Sequence, residues 1–148
     1  MEKSKFVSDK NPSPDKDEEV EDLMLSELIQ LSFDKIMQTR TYTVVILGAR
    51  NKRFAIYTDP AIGRTLQMYL TGTEKIRPQT HDLISMMLEG LDVTIKQVVI
   101  NDIQDTIYFA RLFIEQEDMD GIRHIVEIDA RPSDCITLAL MNNVPVFC

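Results

Sequence analysis

The sequence lacks several features that define particular classes of protein. It has two cysteines in 148 residues, Cys135 and Cys148, which is too few for the disulfide framework of a small secreted protein. Its longest uninterrupted apolar runs, such as residues 44–47, have four residues, whereas a membrane-spanning helix needs about 20. No apolar stretch behind a basic cap opens the sequence, as an export signal would. These absences predict a cytoplasmic protein with no membrane-spanning segment.

The motifs of several enzyme classes are absent as well. There is no Gly-x-Gly-x-x-Gly loop, no Walker loop and no Gly-x-Ser-x-Gly elbow, which removes nucleotide-cofactor enzymes and serine hydrolases from the leading options. The two cysteines have neither a Cys-x-x-Cys partner nor the spacing of zinc ligands.

An excess of positive charge is also missing. The chain carries 16 Lys and Arg against 24 Asp and Glu, a formal charge of −8, which argues against bulk electrostatic attraction to nucleic acid. Residues 1–22 hold 8 of the acids and 4 of the bases, so half of the surplus lies there. This segment has almost no apolar residues and is predicted to be a flexible acidic tail. The remaining chain is near −4, which does not exclude a small phosphate-binding site.

Residues 23–148 are predicted to form one compact domain of the α/β (α+β) class. Runs rich in β-branched residues predict strands, and apolar residues three and four apart predict helices. The predicted strands are residues 41–48, 54–58, 93–100, 107–115, 122–128 and 145–147, and the predicted helices begin near Val20, Pro60, Pro78 and Pro132. Polar connections at 101–105 and 117–121 predict an antiparallel three-strand meander in a mixed sheet, on which the helices pack.

Some of these elements carry more specific expectations. The segment from Val20 to Met37 is predicted to be a helix or a helix-to-strand join. Asp59 is predicted to cap the helix after it. The helix after Pro78 is predicted to carry a strong amphipathic stripe, which consists of Leu83, Ile84, Met87, Leu88 and Leu91. His124 is predicted to be a partly buried core residue, and residues 145–147 are predicted to form an edge strand.

Two predicted helices begin with the same chemistry. Arg77-Pro78-Gln79-Thr80-His81-Asp82 and Arg131-Pro132-Ser133-Asp134 each place Arg-Pro shortly before an aspartate. The unpaired N–H groups and the positive dipole end of a helix favour an anion there, and arginine adds a planar fork suited to phosphate. The same residues also stabilise a helix start without a ligand, because Pro fixes the first helical φ and Asp complements the dipole. Both interpretations stay open at this point.

Three blocks of the sequence together resemble one family. They are residues 77–83 (Arg-Pro-Gln-Thr-His-Asp-Leu), residues 108–112 (Tyr-Phe-Ala-Arg-Leu) and residues 128–140, which begin Ile-Asp-Ala-Arg-Pro-Ser-Asp. In this order they resemble the bifunctional nuclease (BFN) domain family of bacteria and plants. The resemblance implies a compact α/β domain, often oligomeric, in a family credited with cleaving both DNA and RNA. It brings no settled catalytic assignment with it.

The sequence departs from the family pattern near the predicted helix at Pro60. Where the family usually has a glycine and, three residues on, a glutamate, this chain has Asp59 and Ile62. If that glutamate holds a metal in relatives, this protein lacks the ligand or uses Asp59 instead. Cys135 stands where the family commonly has alanine, which weakens any role of this thiol as a nucleophile.

Few residues are candidates for phosphodiester cleavage. Nuclease chemistry needs an activated water and neutralised charge at phosphorus, which carboxylate-bound Mg²⁺ commonly supplies. Asp129 and Asp134 lie across a strand-to-helix turn and are the candidate ligands of Mg²⁺ or another divalent cation. His81 is the candidate general base or acid, because an unperturbed imidazole titrates near about pH 6.5. The candidate catalytic residues are His81, Asp82, Asp129 and Asp134, and the candidate phosphate-binding residues are Arg77, Thr80, Arg131 and Ser133.

Two functions stay open on the sequence. One is a nuclease that cleaves DNA and RNA with the help of a divalent cation, as a homo-oligomer. The other is a non-catalytic oligomeric binding or regulatory module in which the Arg-Pro motifs are structural; the acidic balance and the missing glutamate favour it. Convergence of the candidate residues in one cleft would favour the nuclease, and scattered positions would favour the module.

Overall fold

The structure, a computed structural model, describes residues 28–148. The predicted acidic tail at 1–22 lies outside these residues, and so does most of the helix predicted from Val20. The first element of the described residues is a strand that begins at Gln30, which fits the strand half of a helix-to-strand join. None of the helices among residues 28–148 is long and apolar enough to cross a membrane.

The described residues form one mixed sheet and three helices, which confirms the predicted α+β class. The strands are β1 (Gln30–Gln38), β2 (Thr43–Ala49), β3 (Lys52–Thr58), β4 (Val93–Gln104), β5 (Ile107–Glu117), β6 (Arg123–Ala130) and β7 (Val146–Phe147). The helices are α1 (Pro60–Leu70), α2 (Thr80–Gly90) and α3 (Pro132–Asn142).

The sheet has the strand order β3-β2-β1-β7-β4-β5-β6. The predicted meander is confirmed as β4, β5 and β6, and all neighbouring strands are antiparallel except β4 and β7, which are parallel. The prediction of an edge strand at 145–147 is wrong, because β7 lies between β1 and β4 and joins the two halves of the sheet. Ile29 and Cys148 exchange two backbone hydrogen bonds of 2.9 Å beside it.

The turn between β4 and β5 is shorter than predicted. The prediction of a five-residue connection at 101–105 is wrong, because β4 continues to Gln104 and only Asp105 and Thr106 connect the strands. Both residues have positive φ, 47° and 76°, as the two central residues of a type I′ turn require. The turn after β5 is confirmed: Asp118 Oδ1 accepts hydrogen bonds from the backbone N–H groups of Asp120 and Ile122.

Helix α1 begins as predicted and packs closely on the sheet. Asp59 caps it, with Oδ1 accepting from Ala61 N at 2.9 Å and from Ile62 N at 3.1 Å. Gly63 allows the helix to approach β2, since a Cβ at this position would lie 2.8 Å from Thr43 Cβ. This contact fixes the distance between α1 and the sheet.

Helix α3 is the central helix of the domain. It contacts three strands and both other helices. Every residue from Pro132 to Ala139 is buried except Asp134. The core therefore holds α3 rigidly, and one carboxylate at its first turn stays partly accessible.

The apolar stripe of α2 is only partly buried, and the prediction that His124 is a partly buried core residue is wrong. In α2, Ile84 and Leu88 pack against the core, whereas Leu83, Met87 and Leu91 are 53%, 57% and 60% exposed. The reason is that α2 lies on the surface and contacts mainly α3 and β4. His124 is exposed, with Nε2 2.9 Å from Asp118 Oδ2, because β6 is the last strand of the sheet and its face is not covered by a helix.

Candidate active site

The first turns of α2 and α3 meet through a histidine and an aspartate. His81 Nε2 lies 3.0 Å from Asp134 Oδ1, across 53 residues of sequence. His81 is the only buried residue of α2 and is 6% exposed. The contact brings the two Arg-Pro motifs together at one place in the fold.

Arg131 completes this contact from the N-cap position of α3. Its Nε donates to Asp134 Oδ2 at 2.7 Å and its Nη2 donates to Oδ1 at 3.2 Å. Partial burial would raise the pKa of Asp134, but the hydrogen bonds from Arg131 and His81 outweigh it and hold the pKa below its ordinary value. Asp134 is therefore an ionised carboxylate at neutral pH, and the Arg131 side chain, 66% exposed, presents its outer face to solvent.

Helix α1 packs on α3 and is hydrogen-bonded to the start of α2. Asp134 is the main cause of a raised pKa at Arg131, and the charge of Asp59, the cap of α1, raises it further. A hydrogen bond of 2.9 Å from Thr65 Oγ1 to Gln79 Oε1 connects α1 with the start of α2. The starts of α2 and α3 thus meet in one region, and α1 is hydrogen-bonded to the start of α2; a helix N-terminus favours negative charge.

Asp82 is engaged in the cap of its own helix. Its Oδ2 accepts from Gln79 N at 2.7 Å, and Lys75 Nζ donates to Oδ1 at 2.7 Å and to Oδ2 at 2.8 Å. Burial would raise the pKa of Asp82, but these hydrogen bonds lower it overall. The contacts are those of a capping residue, and its catalytic role stays a prediction.

Asp129 binds a different arginine from Asp134. Its Oδ1 lies 3.0 Å from Arg111 Nη1, while Arg111 Nε lies 3.1 Å from Glu127 Oε1. Among residues 28–148, no group of three or more His, Cys, Asp or Glu side chains is arranged to hold a metal ion. The donors present do not fit the predicted divalent cation, because each candidate carboxylate is already paired with a guanidinium. The cation itself stays a prediction.

The other candidate residues lie around the two helix starts. Arg77 and Thr80 are exposed where α2 begins, whereas Ser133 is 5% exposed in the first turn of α3. Cys135 follows Asp134 and is fully buried; burial raises the pKa of its thiol to about 12. A thiol in this state is not a nucleophile at neutral pH, in agreement with the weak role predicted for it.

Four residues that support the site were not predicted from the sequence. They are Thr65, Lys75, Gln79 and Arg111. Gln79 and Asp82 have the spacing of a capping box, which is a usable signal for a paired helix start. Arg111 lies in the second of the three family blocks, which gave it no role, and Thr65 and Lys75 carry no local signal, because the fold alone brings them to their partners.

The fold and the site define an α+β domain in which two Arg-Pro helix starts are joined by a histidine and an aspartate. The family model described as "Bifunctional nuclease domain" matches residues 45–148. The chain therefore belongs to the bifunctional nuclease domain family, as the three sequence blocks predicted.

Two curated relatives come from Mycobacterium tuberculosis. They are uncharacterized protein MT1877 of strain CDC 1551 / Oshkosh and uncharacterized protein Rv1829 of strain ATCC 25618 / H37Rv, each 27% identical over 115 residues. The matched region covers 76% of this chain and 65% of each relative. The chain thus spans less than two thirds of the length of these relatives.

Proposed function

We propose that this domain hydrolyses phosphodiester bonds in DNA and RNA at the surface where α2 and α3 begin. The observation that carries the proposal is the contact of His81 with Asp134, which unites the two Arg-Pro motifs in a domain of the nuclease family. An exposed guanidinium and several helix N-termini beside this pair suit a phosphate group.

In the proposed reaction, Arg131 binds the scissile phosphate. Two of its N–H groups are occupied by Asp134, and a guanidinium has about five, so about three are free for phosphate oxygens. Negative charge accumulates on these oxygens when water attacks phosphorus. A fixed cation that strengthens its bonds at this stage lowers the barrier.

His81 is the proposed proton carrier. Because the low pKa of Asp134 keeps it ionised, this carboxylate only accepts, and the proton of the contact belongs to His81 Nε2. In the neutral imidazole the lone pair is then on Nδ1, which takes a proton from the attacking water as the new P–O bond forms. The bond from phosphorus to the leaving ester oxygen breaks in the same reaction, and that oxygen takes a proton from solvent. Asp134 is a positioning residue in this scheme, since it fixes the tautomer and the orientation of the ring.

Arginine variants test this site against a close control within the same chain. Arg131 Nε to Asp134 Oδ2 is 2.7 Å and Arg53 Nε to Asp34 Oδ2 is 2.9 Å, and both arginines are mostly exposed. We expect Arg131→Gln to lower the rate of cleavage of labelled DNA and RNA oligonucleotides by about 10²–10³-fold. Arg53→Gln should cleave at the wild-type rate.

The same assay shows whether the cleavage comes from this protein and whether it depends on a divalent cation. Equal cleavage by wild type and both variants would indicate a contaminating nuclease and contradict the proposal. Repeating the assay with EDTA and with added Mg²⁺ tests the predicted divalent cation separately, because the arginine comparison is made under each condition.

One observation favours the non-catalytic module instead. His81 is buried and both oxygens of Asp134 are occupied, which is the state of a structural contact as well as of a resting catalytic pair. If the contact is only structural, wild type cleaves no substrate. Cleavage by wild type therefore separates the two functions, and melting curves on the assayed samples show whether a variant that does not cleave is folded.

A further inference from the structure

The free edge of β6 is the most unusual surface of the described residues. β6 is the last strand of the sheet, and each of its residues before Ala130 is exposed. The exposed residues include Ile125, Val126 and Ile128, at 54%, 50% and 38%. Edge strands are usually protected by charged residues, lysine above all, by proline or by a bulge. β6, with the sequence Arg-His-Ile-Val-Glu-Ile-Asp-Ala, has charged residues of both signs but neither lysine nor proline, and it pairs with β5 without a bulge.

The direction of the backbone groups in β6 is set by its hairpin. Asp118 N donates to Ile122 O at 3.0 Å, and pairing alternates regularly from there. In an antiparallel ladder, alternate residues bond to the same neighbour, so the even-numbered residues face β5. The odd-numbered residues Arg123, Ile125, Glu127 and Asp129 direct their N–H and C=O groups to the free edge.

The charges along this edge are self-complementary. Arg123 lies at the first end, and its nearest acid, Glu115, is 4.0 Å away and also binds Lys96. At the other end, Glu127 and Asp129 share the single cation of Arg111. Arg123 is thus only loosely paired, and the two acids at the other end have one cation between them. An antiparallel copy of the same strand would bring these opposite charges next to one another.

We infer that β6 pairs with β6 of a second copy of this chain about a two-fold axis at Val126, forming one continuous sheet. In this register, Arg123 is opposite Asp129 of the second copy and Ile125 is opposite Glu127. All four outward residues are used, giving about eight backbone hydrogen bonds. A shift by two residues would place Asp129 opposite Gly121 in the turn and lose part of the pairing. The opposite edge of the sheet, β3, has Lys52 and Arg53 but no acid, so it lacks this complementarity.

Charge reversal tests the pairing directly, because the two arginine–aspartate contacts are equivalent in the dimer. We expect wild type to be a dimer by sedimentation equilibrium, and Arg123→Asp and Asp129→Arg each to be monomeric, since each places like charges opposite one another. An equimolar mixture of the two variants should dimerise again, because both contacts then join opposite charges. A variant that failed to fold could not restore the dimer, so dimerisation of the mixture would show that both variants are folded.

Two control variants locate the interface. Lys96→Asp makes the same change of charge next to the same Glu115 but two strands from the edge, and should stay dimeric. Met87→Glu places a charge on the exposed stripe of α2 and should also stay dimeric. A monomeric wild type, a mixture that does not dimerise, or dissociation by Met87→Glu alone would overturn the inference. The readout is mass, so it is independent of any cleavage.

Discussion

One carboxylate, Asp134, connects the two sequence motifs on which the site depends. It accepts from Arg131 on its own helix and contacts His81 on another. A carboxylate held this way fixes the positions of both partners. A change in either partner removes a hydrogen-bond donor from one of its oxygens in a partly buried position. At the scale of single residues, the site is thus a positioned ion pair with a histidine attached.

The pH dependence of stability provides a test of this carboxylate. Because the folded pKa of Asp134 lies below its unfolded value near about 3.9, its contribution is complete above that value and is lost as the pH falls through the folded pKa. We expect Asp134→Asn to be less stable than wild type at pH ~7 by about 1–3 kcal/mol. The difference should shrink at pH ~3, measured by urea unfolding.

A second aspartate serves as the control for this measurement. Asp120 lies in the exposed turn after β5, and its side chain takes part in no ion pair within residues 28–148. Asp120→Asn should follow wild type at both pH values. An Asp134→Asn variant that loses as much stability on acidification as wild type would contradict the ionised pair.

At the scale of elements, the position of α1 depends on one glycine. Gly63 is buried and a Cβ there would lie 2.8 Å from Thr43 Cβ in β2, so α1 would have to move outward. We expect Gly63→Ala to lower the free energy of unfolding by about 1–3 kcal/mol. Since α1 holds Gln79 through Thr65, the variant should also weaken the start of α2.

Another helical glycine provides the comparison. Gly90 ends α2, and a Cβ there would meet nothing within 4 Å. Gly90→Ala should be neutral or stabilising by up to about 1 kcal/mol, because alanine loses less backbone entropy on folding. Equal effects of the two substitutions, measured by chemical denaturation, would show that the α1–β2 contact is not tight.

Elements with a local signal could be predicted, and those set by distant neighbours could not. Asp59 followed by Pro60 marks a helix start wherever the helix packs, and the β-branched run of β2 marks a buried strand. β7 has two residues, and its central position results from pairing with β1 and β4 far along the chain. The exposure of His124 likewise depends on β6 lying beyond the helices, which its own alternating pattern does not reveal.

The candidate site was predictable in its residue types but not in its pairing. The two Arg-Pro motifs identified Arg131, His81 and Asp134, because the helix-start chemistry repeats. That Asp134 pairs with His81 and Asp129 with Arg111 depends on the packing of α3 and on the register of β5 with β6. No spacing rule in one sequence gives either contact.

At the scale of the whole molecule, an acidic chain carries an exposed guanidinium at the proposed site. The formal charge is −8, and Arg131 is itself paired with Asp134. Binding of nucleic acid is then expected to depend on a few contacts at this site rather than on a broad basic surface. Weak affinity outside the proposed cleavage site is expected from the same charge balance.

The most direct measurement compares the two histidines of the chain. There are two in the sequence; His81 is buried against Asp134, and His124 is exposed against Asp118. We predict that His81→Ala lowers the rate of cleavage of DNA and RNA oligonucleotides by about 10²–10⁴-fold, while His124→Ala cleaves like wild type. Cleavage by His81→Ala at the rate of His124→Ala, with both variants folded, would contradict the proposed role of this site.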